Sequence, residues 1–182
     1  MFDLNGARKY LNKLERRAYL CVIRAESNEA RRAFLMTLFY AGCRISEGLD
    51  VRVVRIDFAA KALIFETLKQ RKRGIFRSVP IPDELVSLLK NIVLNKDPDA
   101  RVWEFSRSTA YRMIKAKMQA AQIIGGMAMP KGLRHGYGVA CVAVKVPLPM
   151  IQRWLGHARL ETTAIYLDVH GEEEREIAMR VW

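Results

Sequence analysis

Apolar positions recur every three or four residues through most of this chain, the spacing of helices that bury one face. Between residues 7 and 26 the spacing predicts a helix with Leu11, Leu14, Ala18 and Val22 on one stripe. SNEARRAFLMTLFYAG then opens at a Ser27/Asn28 cap and stops at Gly42, with Phe34, Leu35, Leu38 and Phe39 as its buried face. RISEGLDV reads as a short second helix. The period then changes. ALIFET (62–67) and IFRSVPI (75–81) are β-prone runs on either side of the basic LKQRKRG, which predicts a hairpin with a charged tip, ended by Pro80 and Pro82. Helical spacing resumes in PDELVSLLKNIVL, with Pro82 at or just before its start. SRSTAYRMIKAKMQAAQIIGG reads as a helix capped at Ser106 or Ser108 and closed by Gly125 and Gly126. PKGLRHGYGVACVAVKV, PLPMIQRWLGHA and LETTAIYLDV follow, with a tail helix over 171–182. The fold class expected is mainly α with a small antiparallel β-hairpin or sheet, an α+β arrangement.

The length of 182 residues suits one domain with a real core. No apolar run approaches the roughly 20 residues of a membrane span. The start lacks the apolar stretch and cleavage site of a signal peptide, so a cytoplasmic, DNA-associated protein is expected. Cys21, Cys43 and Cys141 are widely spaced and form no CxxC, which indicates neither a zinc site nor a disulfide framework but buried reduced thiols. The net charge of +12 changes the picture most, because it favours a polyanionic partner, nucleic acid above all. A membrane surface would call for a basic amphipathic helix. Here the basic residues lie in loops and the hairpin. Lys69, Arg71 and Arg73 on the hairpin tip are candidate DNA contacts. So are Arg107, Arg112 and Lys115, which with Lys117 are expected on one helix face.

Four polar residues stand at junctions of apolar elements, where a helical fold can aim side chains into one cleft. Arg44 follows the Gly-terminated helix. Arg134 opens an apolar one. His157 follows the Gly of WLGH, and Tyr166 sits within TTAIYLDV. Two guanidiniums can grip a phosphate and stabilise the charge that develops on its oxygens. A tyrosine hydroxyl can be a nucleophile, and a histidine can hydrogen-bond the phosphate or carry a proton. A lysine can protonate the leaving 5′-oxygen. This chemistry needs neither metal nor cofactor, since side chains supply the cations.

The same residues carry a family resemblance. AGCRISEGLDVRVVRID resembles the first arginine box of the tyrosine recombinase (phage integrase) family, GLRHGYG resembles the second, and WLGHARLETTAIYLDV resembles the box that ends in the nucleophile. All three come in the family's order and spacing, over roughly residues 10 to 170. The resemblance implies the family's catalytic-domain fold and the cleavage and rejoining of duplex DNA. Arg44 and Arg134 would clamp the scissile phosphate, Glu47 would hold Arg44, His157 would contact the phosphate, and Tyr166 would form a 3′-phosphotyrosyl link. The family's hairpin lysine falls on Lys72 when counted back from RSVPI, with Lys69 as the alternative.

Two positions depart from the family's pattern. Three residues before Arg134, where H-x-L-R is usual, stands Lys131, a known variant in the family. An unperturbed lysine, with a pKa of about 10.4, is a poor base at neutral pH. His135 is expected to point elsewhere on its helix. Also, only about 40 residues precede the first box. The expectation is therefore a single catalytic domain over 1–182 without a separate N-terminal core-binding domain, either a fragment or a short form such as the inversion-switch recombinases. The acidic-then-apolar tail suits docking on a neighbouring subunit, in a homotetramer on DNA. Two other readings stay open: a topoisomerase of the tyrosine type, and a non-catalytic DNA-binding accessory protein or repressor. The presence of Tyr166 and both arginines favours the recombinase.

Overall fold

The structure, a computed structural model, describes residues 1, 2, 4, 6–67, 74–168, 174, 175, 178 and 179. Helices α1 (Lys13–Arg24), α2 (Glu29–Ala41) and α3 (Ile45–Leu49) lead into strands β1 (Ile56–Asp57), β2 (Ala62–Glu66) and β3 (Phe76–Pro80). Helices α4 (Asp83–Val93), α5 (Arg107–Ala120), α6 (Pro130–Ala143), α7 (Leu148–Leu155) and α8 (Glu161–Ala164) follow, and a 3-10 turn spans Ile165–Leu167.

Helix α2 is the centre of the molecule. Its residues from Ala33 to Phe39 are buried without a break. A helix apolar all round has to lie inside, and α2 packs against α1, α3, α4 and α6. Its ends follow from local chemistry. The Asn28 side chain accepts from the Arg31 amide, and Gly42 closes the helix in the left-handed region at φ 58°. Ser106 caps α5 by accepting from the Thr109 amide.

The three strands form an antiparallel sheet in the order β1-β2-β3, with Leu63 opposite Val79 and Phe65 opposite Arg77. Alternation along β3 buries Arg77 and Val79 and exposes Phe76, Ser78 and Pro80. Strand β1 was not expected, since two residues are too few to show a period. A second, smaller core gathers Tyr10, Tyr137, Val139, Cys141, Ile151, Leu155 and Tyr166, and Trp154 packs against both cores. Among the described residues no helix is long and apolar enough to cross a membrane.

The structure corrects four expectations. Helix α1 starts at Lys13, because Asn12 and Glu15 form a capping box there. Its buried face is Tyr19 and Ile23, and Leu14 is 60% exposed. Helix α5 ends at Ala120, well before Gly125, and the left-handed residue after it is Gln122, at φ 57°. Lys117 turns away from the other cations of α5 to pair with Glu26 at 2.7 Å. Cys21 is exposed, although Cys43 and Cys141 are buried free thiols.

The new register of α1 has a measurable consequence. In denaturant unfolding, Ile23→Ala is expected to cost about 2–5 kcal/mol, because it opens a cavity in a fully buried site. Leu14→Ala is expected to change stability by less than about 0.5 kcal/mol. Equal costs would restore the original stripe.

Candidate active site

Glu47 organises the site. It lies on α3 with its side chain wholly buried. One carboxylate oxygen accepts from Arg44 Nη1 at 2.7 Å, and the other accepts from the Arg44 amide at 2.8 Å. That second oxygen also accepts from Arg77 Nη2 at 2.7 Å and lies 3.9 Å from Arg134 Nη1. Burial alone would push the Glu47 carboxyl up, but Arg77 and Arg44 outweigh it and hold its pKa below the usual value.

Arg134 and Arg77 are each fixed by a second set of acceptors. Arg134, on the first turns of α6, donates to Gly42 O at 2.9 Å and Leu155 O at 2.6 Å. Burial, with Arg44 adding to it, lowers its guanidinium to about 10, so it stays charged at neutral pH. Arg77 donates to Trp154 O at 2.8 Å and to Thr67 Oγ1 at 3.2 Å, with its guanidinium over the Phe65 ring. Two of the three arginines thus grip the carbonyls at the end of α7. There Gly156 turns the chain at φ 65°, with the Arg77 guanidinium packed where a Cβ would stand, 2.9 Å away.

That turn presents His157. Its Nδ1 pairs with Thr163 Oγ1 at 2.9 Å, and its ring stacks on Tyr166 at 6.1 Å between centroids. Burial and the nearby Arg134 and Arg44 lower His157 to about 4, so it is neutral at pH 7. Tyr166 is fully buried. Its ring lies against the backbone of Gly138, where any Cβ would come within 2.6 Å of it. Its hydroxyl is 3.2 Å from His135 Nδ1. Burial raises the Tyr166 pKa, against the opposing pull of Arg134 and Arg44. His135 was expected to point elsewhere and does not. It lies one residue after Arg134, and α6 turns it toward Tyr166 on the same side of the helix.

A cavity of about 490 Å³ opens over these groups, lined by Arg44, Arg107, Lys131, Arg134, His135, His157, Thr162 and Tyr166 among others. Four cations and no carboxylate line it among the described residues, a setting that attracts an anion. Arg44, Arg134, His157, Lys131 and Tyr166 thus meet in one place, with Glu47 beneath. Arg107 joins them at the wall. Arg112 and Lys115 line a neighbouring cavity with Tyr111, and Lys115 Nζ donates to Ala128 O at 2.9 Å. Lys69, Arg71, Lys72 and Arg73 lie outside the described residues. No group of three or more metal-ligating side chains occurs among the described residues.

The sequence matches the phage integrase family over residues 9–173. The chain belongs to the phage integrase family. A tyrosine recombinase of Thermosipho africanus is 35% identical over 155 residues, which is 82% of this chain and 53% of that protein. Tyrosine recombinase XerA of Thermococcus onnurineus is 30% identical over 178 residues, 92% of this chain and 61% of that one. The chain therefore spans little more than half the length of these relatives. The crystal structure of XerA recombinase superposes with a TM-score of 0.79 at 25% identity, covering 94% of this integrase-family chain and 64% of that chain. The catalytic domain of bacteriophage HP1 integrase has the same fold, with a TM-score of 0.67 at 19% identity over 87% of this chain and 86% of that one.

Arg77, Thr163 and His135 were not foreseen as site residues. A signal existed for Arg77: it shares the inward face of β3 with Val79, and a charge there needs a buried partner. Glu47→Ala is expected to cost about 3–5 kcal/mol in denaturant unfolding, because it leaves Arg77 buried beside Arg44 without their carboxylate. Because the folded Glu47 pKa is lowered, its contribution is present above the unfolded value of about 4.3 and is lost as pH falls below it. Glu47→Gln should flatten that part of the acid-stability curve. An unchanged curve would remove Glu47 from the centre of the site.

Proposed function

We propose that this protein is a tyrosine recombinase that cleaves and rejoins duplex DNA through a covalent 3′-phosphotyrosine. The observation that carries the reading is the convergence of Tyr166, His157 and two arginines on a cavity walled by cations. Arg44 and Arg134 hold the scissile phosphate and stabilise the charge that grows on its oxygens. Glu47 positions Arg44. Neutral His157 donates to a phosphate oxygen, and Tyr166 attacks the phosphorus. Lys131 adds a cation at the cavity wall. The hairpin lysine, Lys72 or Lys69, protonates the leaving 5′-oxygen. The phosphotyrosyl ester conserves the energy of the broken bond, so rejoining requires no high-energy cofactor.

Lys69, Arg71, Arg73, Arg107, Arg112 and Lys115 are the proposed contacts to the DNA backbone, with the salt dependence that phosphate contacts bring. Four copies acting on two duplexes complete the exchange, with residues 171–182 bridging neighbours. An apolar groove of about 410 Å³ between α1 and α6 suits such a segment, since it is lined by Leu20, Phe39 and Val144 together with Lys13, Arg16 and Arg17. We place the protein at DNA inside the cell and regard residues 1–182 as one catalytic unit.

A second reading is favoured by one observation: the proposed nucleophile is fully buried. A DNA-binding accessory protein of the same fold could keep Tyr166 as a packing residue.

Cleavage of nicked duplexes carrying the DNA that adjoins the gene separates the two readings. Wild type should give a slow-migrating covalent band on a denaturing gel. Tyr166→Phe should abolish the band, and Arg134→Ala should reduce it by about 100-fold or more. Salt-sensitive binding without any band would establish the accessory role instead.

A further inference from the structure

We infer that His135 is a catalytic residue, the base that takes the proton from Tyr166 as its oxygen attacks the phosphate. The inference rests on Tyr166 being the nucleophile. Its ground is geometric. His135 Nδ1 and the Tyr166 hydroxyl are 3.2 Å apart, within proton-transfer reach. The two rings are tilted by 58° at 5.8 Å between centroids. Gly138 on one side and stacked His157 on the other hold the phenol in this pose.

The other groups facing the pair fit the assignment. Lys131 and Arg134 on α6 and Lys9 ahead of α1 surround His135 with positive charge, and Arg44 approaches from α3. Burial first, then Lys131, Arg134 and Lys9, lower His135 to about 4, so the ring is neutral and has a lone pair to offer at pH 7. Arg134, which stays charged at neutral pH, cannot act as a base. His157 is committed through Nδ1 to Thr163. An incoming phosphate brings negative charge beside the ring, which stabilises the imidazolium that forms.

The step balances as follows. The Tyr166 proton passes to His135 Nδ1, the tyrosyl oxygen–phosphorus bond forms and the phosphorus–O5′ bond breaks. The leaving 5′-oxygen takes a proton from a site lysine. In rejoining, the 5′-hydroxyl gives its proton back to that lysine as it attacks, and Tyr166 leaves with the proton returned by His135.

The test compares wild type with His135→Ala and His135→Asn on the nicked duplexes, across pH 3.5 to 9, a range that includes the folded value of His135 at about 4. Asn keeps an acceptor beside the hydroxyl but has no basicity, so it separates a base from a packing group. Both variants are expected to form the covalent band at least about 100-fold more slowly. They should lose the wild type's acid-side fall in rate, and added imidazole should partly restore His135→Ala. A duplex with a 5′-bridging sulfur, whose thiolate leaves without a proton, should not restore either variant. Rates within threefold of wild type with an unchanged acid limb would overturn the assignment, and so would full rescue by the sulfur substrate. Nitrogen NMR of His135 in the free protein gives a second reading that needs no cleavage. A neutral ring protonated on Nε2, shifted on Tyr166→Phe, is expected. A proton on Nδ1 would make His135 a donor to Tyr166 and overturn the inference. If wild type forms no band at all, the nucleophile reading fails, and the NMR result still decides which way the hydrogen bond runs.

Discussion

Everything at the site hangs on one buried carboxylate. Glu47 is held at full burial by direct bonds to Arg44 and Arg77, with Arg134 at 3.9 Å. A lone carboxylate there would carry a penalty of several kcal/mol, and so would each lone guanidinium. Together they are tolerable, because each charge finds both a counter-charge and hydrogen bonds. The cluster also ties separate elements together: Glu47 stands on α3, Arg77 on β3 and Arg134 on α6. Arg77 and Arg134 then reach the Trp154 and Leu155 carbonyls, which places the turn that carries His157. One carboxylate thereby fixes three arginines and, through Arg77 and Arg134, the turn that carries His157.

Tyr166 is treated by the fold as a core residue. It shares a cluster with Tyr10, Tyr137, Ile151 and Leu155. Burial makes its phenol a weaker acid, and the arginines work in the other direction. In the proposed reaction the phenol gains reactivity when a phosphate comes to the arginines and the proton has somewhere to go.

In the proposed mechanism, Lys131 changes the logic of proton transfer more than it changes the charge. With a lysine where the family usually has histidine, the cavity wall gains a fixed cation. The imidazole nitrogen beside the Tyr166 hydroxyl comes from the neighbouring turn of the same helix. His135 and Arg134 are adjacent in sequence and divide the work. Arg134 turns down to Gly42 and Leu155, and His135 turns toward the phenol.

Much of this was legible in the chain itself. Period and caps placed the long helices, since burial of an apolar stripe and satisfaction of end amides are local demands. Arg44, Arg134, His157 and Tyr166 could be picked out because each sits at a junction within a patterned box. The buried face of α1 was misjudged because Leu14 and Tyr19 both fit helical spacing, and only packing decides which face is buried. The role of Arg77 was not decided by its own strand. It depends on a carboxylate thirty residues earlier and a carbonyl seventy-seven residues later. The direction of His135 likewise depended on a tyrosine thirty-one residues away. The sequence by itself determined which residues could do the chemistry, through residue type, order and local pattern. The tertiary structure alone decided which of them share one buried charge cluster and which nitrogen meets the hydroxyl, because those contacts are made between elements whose separation along the chain carries no information about their distance in space.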